Sequence, residues 1–450
     1  MLGIPKRMDN WTRLTIFFLW GSVFLGKSSA YLGLAIGALF LFDPRVLWNR
    51  WYLALTRRGD PLGGFAWILL ISLLYGIGES IYGLMLGYPP FTVFETLVFN
   101  LCPLYVFLGI WVGARHTGVV RSYIRFVAWY MVFYTPLYAL FFRKLNLTLS
   151  GILPGSNLDL LGSPGTGSET LLGLISYEAN LAKFWLPILV LSCLTIANQE
   201  RADWLGLGLA LIVWGVLARR MDRVFGITAC IFVLLLVAFL VDLRLPAIPG
   251  RGGEISARET VARAAGSISP ELAEEVDGDR ANADFYYGTV YWRKHWWAAI
   301  RDEVSKDDLT LTFGLGYGYP LAELAGQDVV RTGTRSPHNI FYFTLAYSGA
   351  IGVAIFFALQ SQVILILWRS FKATGEIYSL AFYISSLVNA FFGNFIETPQ
   401  AGIPIYLLCG LFIGPMLAQY EALGRAPEAA QMNWVRERKA WPVGEKRLLD

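Results

Sequence analysis

Residues 62–87 read LGGFAWILLISLLYGIGESIYGLMLG, an apolar run with a single ionisable side chain, Glu79. An α-helix needs about 20 apolar residues to cross a hydrocarbon core of about 30 Å, and lipid offers an unpaired backbone no hydrogen bonds, so such a run reads as a membrane span. Runs of the same character recur along the chain. Residues 11–26, 29–42, 92–113 and 123–142 form a first group with it, 184–197, 204–218 and 224–241 a second, and 338–368, 378–395 and 403–418 a third. The spacing predicts an all-α polytopic membrane protein with about 11–12 transmembrane helices.

Composition agrees. Of 450 residues, 55% are hydrophobic and only 16% charged, against about 25% charged in soluble domains. Such a chain is too apolar to be disordered and too poor in charge to clothe a soluble surface. Thirty-seven Lys and Arg against 33 Asp and Glu leave +4, which argues against a nucleic-acid partner and makes the position of each basic residue the informative quantity. Cys102, Cys193, Cys230 and Cys409 all sit inside apolar runs and read as small buried hydrophobes.

Basic residues orient the chain. Lys6, Arg7 and Arg13 precede the first run, Arg45, Arg50, Arg57 and Arg58 follow the second, and Arg115, Arg121 and Arg125 follow the fourth. Positive loops stay cytoplasmic, so the N-terminus lies inside. Arg369, Lys372 and a tail holding Arg425, Arg436, Arg438, Lys439, Lys446 and Arg447 place the C-terminus inside as well, and the segment before residue 338 outside. The two arguments conflict in parity, because the runs before residue 242 return the chain to the cytoplasm. Either a short run is re-entrant or residues 171–182 add a crossing, and the cluster ARRMDR at 218–223 faces either side. The chain divides into N-terminal membrane helices (1–242), an outer loop (243–337), C-terminal membrane helices (338–419) and a cytoplasmic tail (420–450). Within the loop, 250–284 reads as a weakly ordered acidic excursion. The next stretch, FYYGTVYWRKHWWAAI at 285–300, reads as an amphipathic helix lying at the membrane interface.

Residues 293–352 hold the chemistry. Pro337 opens an apolar run, with His338 and Asn339 in its first turn at the water boundary. Histidine is the side chain suited to act as a base near neutral pH, although an interfacial histidine also serves as a headgroup contact. The glycines of FGLGYGY at 313–319 lack the strand and helix of a nucleotide loop. They fit a close turn that lets the backbone approach a polar ligand, with Gly316 and Gly318 supporting it, or a simple tight turn.

An Arg followed by Trp and Ala on a short helix, a G-x-G-x-G turn, and a His-Asn pair with G-x-x-G after it (Gly349, Gly352) together resemble the O-antigen ligase and polysaccharide polymerase superfamily. The resemblance implies a GT-C-like fold with one large periplasmic loop in a bacterial inner membrane. It implies an inverting, metal-independent glycosyltransferase without cofactor that moves a glycan from undecaprenyl diphosphate to an acceptor hydroxyl. The acceptor would be lipid A core in a ligase, or the growing polysaccharide in a polymerase. His338 then stands as the base, supported by Asn339, and Arg293 and Arg335 as loop arginines. Arg219, Arg220 and Arg223 are candidates for a further arginine at the mouth of a middle helix.

The residue types fit that chemistry independently. Transfer from a lipid diphosphate needs an acceptor hydroxyl deprotonated and the departing diphosphate stabilised. Arginines offer planar, permanently charged donors to phosphate oxygens, and no D-x-D pair stands beside His338. A polysaccharide or lipid transporter is the rival of another class. It would show repeat symmetry and charges at midplane depth, and only Glu79 and Glu95 answer to the second description.

Overall fold

The computed structural model describes residues 9–25, 29–142, 148–150, 157–159, 167–197, 200–246, 254–326, 336–393 and 395–424. The apolar runs are helical. In chain order the first set is α1 (Asn10–Leu25), α2 (Ser29–Leu41), α3 (Asn49–Thr56), α4 (Gly63–Met85), α5 (Pro90–Leu101), α6 (Tyr105–Gly113) and α7 (Val119–Leu137). The second is α8 (Gly167–Tyr177), α9 (Trp185–Ala197), α10 (Arg201–Ala218) and α11 (Met221–Leu240). Residues 254–326 form α12 (Ala257–Ala265), α13 (Pro270–Asp277), α14 (Arg280–Val304), α15 (Asp308–Phe313) and α16 (Leu321–Leu324). The chain closes with α17 (Ile340–Thr374), α18 (Tyr378–Phe392) and α19 (Pro399–Gly424). Two short antiparallel hairpins, Thr148–Ser150 with Asn157–Asp159 and Leu245–Pro246 with Glu254–Ile255, are the described strands.

Six of the described helical stretches are long and apolar enough to cross a membrane: Gly63–Met85, Pro90–Gly113, Arg201–Ala218, Met221–Leu240, Ile340–Thr374 and Pro399–Ala422. The pair Ser29–Leu41 and Pro44–Thr56, bent by 80°, makes a seventh if counted as one span. Length and composition alone thus pick out, among the described residues, six or seven of the about 11–12 transmembrane helices expected. The other apolar runs are helices too short to cross alone, such as Leu181–Ala197 and Tyr378–Phe392, or, like α7, interrupted by Arg121 and Arg125.

The bundle has two distinguishable ends, and contacts assign them. At one, Arg50 binds Asp60 at 2.8 Å, Arg125 binds Glu178 at 2.6 Å and Arg369 donates to the Pro61 carbonyl at 3.2 Å. This is the basic end. α17 reaches it from the other end, where residues 254–326 pack.

Residues 171–182, read as a possible further crossing, fall largely in α8, which is buried among its neighbours. Its start, Gly167, packs against Leu191 and Thr195 of α9, and its last residue, Tyr177, donates to Glu376 just past α17 at 3.0 Å. At about 1.5 Å per residue its 11 residues cover about 16 Å. α8 therefore runs toward the basic end, over about half the thickness of a hydrocarbon core.

The tightest helix pair is α6 with α19. A methyl placed on Gly109 would stand 2.1 Å from the Leu407 carbonyl, and one on Gly410 2.1 Å from the Val106 carbonyl. Gly113 and Gly414 repeat the arrangement one turn on, so two small-xxx-small stripes, GIWVG and GLFIG, meet face to face. In lipid, where apolar side chains gain little by leaving hydrocarbon, such close backbone approach is a main source of association. Gly410→Leu is expected to lower the thermal unfolding midpoint in detergent sharply, since overpacking alone costs about 1–3 kcal/mol. Gly208→Leu, whose added side chain meets open space, is expected to leave the midpoint nearly unchanged.

Residues 250–284 also differ from expectation. From residue 254 this stretch folds as helices, with Ser256 and Ser269 as N-caps of α12 and α13. Ala262, Ala265, Ala273, Ala283 and Tyr286 form a small core of their own. Alanine packs helices closely without a conspicuous apolar stripe, which is why periodicity understated the order.

Candidate active site

α14 places the site. Trp296 donates its indole N–H to the Leu321 carbonyl at 2.9 Å and Trp297 to the Pro337 carbonyl at 2.8 Å, while Trp297 stacks on Tyr342 at 5.3 Å and 12°. The amphipathic helix expected at 285–300 is thus the central part of a 25-residue helix tied to the turn that opens α17. Between these anchors Trp292 meets the His338 ring edge to face, with centroids 5.7 Å apart. The Arg293 guanidinium lies 5.7 Å from the same indole. His338 and Arg293 each neighbour Trp292, His338 across the fold and Arg293 as the next residue along α14.

His338 stands before the helix. Asn339 is the N-cap of α17, its side-chain oxygen accepting from the Phe341 and Tyr342 N–H groups at 2.9 and 3.2 Å, so Asn339 supports the site by starting the helix. His338 has φ of +53°, a left-handed conformation that non-glycine residues seldom adopt. Its N–H donates to Ser336 Oγ at 3.2 Å. The Ser336 hydroxyl in turn donates to Glu397 Oε1 at 2.8 Å, and burial pushes the Glu397 carboxyl up to about 7.

The glycine turn is structural. Gly314, Gly316 and Gly318 all have positive φ, and a methyl on Gly314 would stand 2.6 Å from the Gly349 nitrogen. Gly349, with φ 59° and ψ −164°, breaks α17. The carbonyls released by the break find donors: Leu315 N–H serves Ala346 at 2.7 Å and the Tyr75 hydroxyl serves Ser348 at 2.8 Å. Gly316 meets Tyr82, and Gly318 meets Val93 and Tyr88. The glycines let this turn pack against α17, α4 and the start of α5, a structural use, where the sequence offered approach to a polar ligand or a simple tight turn.

The arginines divide. Arg293 donates to the Phe392 carbonyl at the end of α18 at 2.9 Å, its Nε is buried without a partner among the described residues, and burial lowers its pKa. Arg201, at the mouth of α10, donates to Ser267 Oγ at 2.9 Å and to the Tyr286 carbonyl at 2.7 Å. It lies within electrostatic range of Arg293 and Arg263, and Arg263 itself is ion-paired with Glu259 at 2.7 Å. Arg201 escaped the sequence reading, although an arginine directly before an apolar helix, in ERADWLG, is the available signal.

Arg219, Arg220 and Arg223 lie elsewhere. Arg219 closes the helix that Arg201 opens, 18 residues or about 27 Å away. Arg220 pairs with its neighbour Asp222 at 3.0 Å. Arg223 donates to the Ile175 and Glu178 carbonyls at 2.8 and 3.0 Å, capping α8 at the basic end. The structure does not bring these three to His338. Arg335 lies outside the described residues. Lys294 and His295 are exposed.

At the loop end, then, a half-buried histidine stands beside an indole whose other neighbour is a partly desolvated arginine, with a second arginine in electrostatic range. A base and a fixed cationic surface are what hydroxyl activation and phosphate stabilisation require. Residues 186–357, which contain Arg201, Arg293 and His338, match the family described as O-antigen ligase. No curated protein matches the chain.

Proposed function

We propose that this chain, whose residues 186–357 match the family described as O-antigen ligase, is an inverting glycosyltransferase moving a glycan from undecaprenyl diphosphate to an acceptor hydroxyl at the outer face of a bacterial inner membrane. In this reading His338 takes the proton from the acceptor hydroxyl. That oxygen attacks the anomeric carbon, the bond from that carbon to the diphosphate oxygen breaks, and the electron pair leaves with the diphosphate. Arg293 and Arg201 hold the departing charge, each through donors fixed in direction. Lipid A core is the acceptor we favour.

The carrying observation is the meeting of His338 and Arg293 on Trp292. The match of residues 186–357 to the O-antigen ligase family supports lipid-linked polysaccharide as the substrate class. The test uses purified protein, undecaprenyl diphosphate-linked glycan extracted from the producing cells, and lipid A core. Expected is release of undecaprenyl diphosphate together with glycan-bearing lipid A core, only when both substrates are present. Chains lengthening on the lipid carrier without lipid A core would replace the ligase by a polymerase. Movement of intact lipid-linked glycan across a vesicle membrane without bond cleavage would replace the enzyme by a transporter.

A further inference from the structure

We propose that Ser336 and Glu397 are positioning residues that hold His338 in its working conformation. The inference rests on His338 being the base of the proposed transfer. A left-handed histidine must be held by its surroundings, since steric repulsion opposes the conformation in every residue with a Cβ. Two contacts do so here. The Trp297 indole holds the Pro337 carbonyl immediately before the histidine, and Ser336 Oγ accepts the histidine's own N–H.

The serine would be free to rotate if nothing fixed it, and Glu397 does. The carboxylate comes from the turn between α18 and α19, 61 residues along the chain. One of its oxygens accepts from the Ser336 hydroxyl at 2.8 Å and the other from the Phe395 N–H at 2.9 Å, so both are engaged. Ser336 is 5% and Glu397 7% exposed. Burying a carboxyl group costs free energy unless it is hydrogen-bonded, and among the described contacts its partners are a serine and a peptide N–H. The feature this arrangement preserves is the backbone at residue 338. Through it the imidazole keeps its T-shaped contact with Trp292.

A clamp of this kind acts on the aim of the base and leaves the cationic surface intact. It therefore predicts a loss in kcat with the donor KM retained, because a misaimed base is felt in the transition state more than in the bound ground state. Purified Ser336→Ala and Glu397→Ala proteins are to be assayed with the extracted lipid-linked glycan and lipid A core. Expected is a fall in kcat of about 10- to 100-fold with donor KM within about twofold of the parent. Ser336→Thr, which keeps the hydroxyl, is expected to recover most of kcat. Should Glu397→Ala fail to fold, the Ser336 pair decides alone.

Wild-type kcat in Ser336→Ala, a loss that threonine does not recover, or a donor KM that rises in step with the fall in kcat would overturn the clamp. His338→Ala separates this failure from that of the underlying reading. If His338→Ala is inactive while Ser336→Ala and Glu397→Ala turn over normally, the clamp alone is wrong; full activity in His338→Ala removes the base itself.

Discussion

His338→Ala protein is expected to insert and purify like the parent and to transfer glycan about 10²- to 10⁴-fold more slowly, the usual contribution of a positioned general base. The loss corresponds to about 3–5 kcal/mol of transition-state stabilisation. Folding is spared because the side chain is half-buried and α17 is started by Asn339. The left-handed backbone sharpens the test. Glycine adopts φ of +53° without penalty, whereas a residue with a Cβ pays about 1–2 kcal/mol there. His338→Gly is therefore expected to be at least as thermostable as the parent and still inactive. A residue kept at a strained position against stability is one whose side chain is used. Full transfer by His338→Ala would end the assignment.

Arg201→Ala and Arg293→Ala should each lower kcat/KM for the lipid-diphosphate donor by about 10²- to 10³-fold, or about 3–4 kcal/mol, as for removal of one fixed donor to a developing anion. Lysine is expected to restore little, since an ammonium cannot present two parallel N–H groups to a phosphate. Arg201 is the more telling of the two. It was absent from the sequence candidates, and its claim rests on its place at the mouth of α10 and on its electrostatic reach to Arg293. Arg220→Ala, whose partner is the exposed Asp222, is expected to transfer at close to the parental rate. Arg223→Ala should show itself in thermal stability, by uncapping α8. A loss of transfer in Arg220→Ala equal to that in Arg201→Ala would contradict this division of the arginines.

Much of this was legible in the sequence because two of its signals are local. Apolar length located the helices, and basic residues such as Arg50, Arg125 and Arg369 marked the end at which the structure gathers them. α8 was ambiguous because GSETLLGLISY mixes polar and apolar residues, and its burial comes from the helices around it, which periodicity does not register. Arg219–Arg223 stood out as a cluster, yet clustering says nothing about which end of a helix is meant, whereas Arg201 was a single charge on a flank. The hydrogen bond from Ser336 to Glu397 joins positions far apart in the chain, and nothing in either neighbourhood announces the other. His338 and Arg293 were singled out by residue type, by their places at the start of an apolar run and in the aromatic stretch 285–300, and by the resemblance, and the structure sets both beside Trp292.

The break at Gly349 bears on how far this chain can be divided into parts. Two of the hydrogen bonds that complete α17 are supplied from outside it, by Leu315 of the preceding turn and by Tyr75 of α4. Transplanted into another scaffold, residues 340–374 would leave the Ala346 and Ser348 carbonyls bare in hydrocarbon, at a cost of several kcal/mol each. The helix that presents the histidine is thus no interchangeable module: a chimera that exchanges it must carry the glycine turn and α4 across with it.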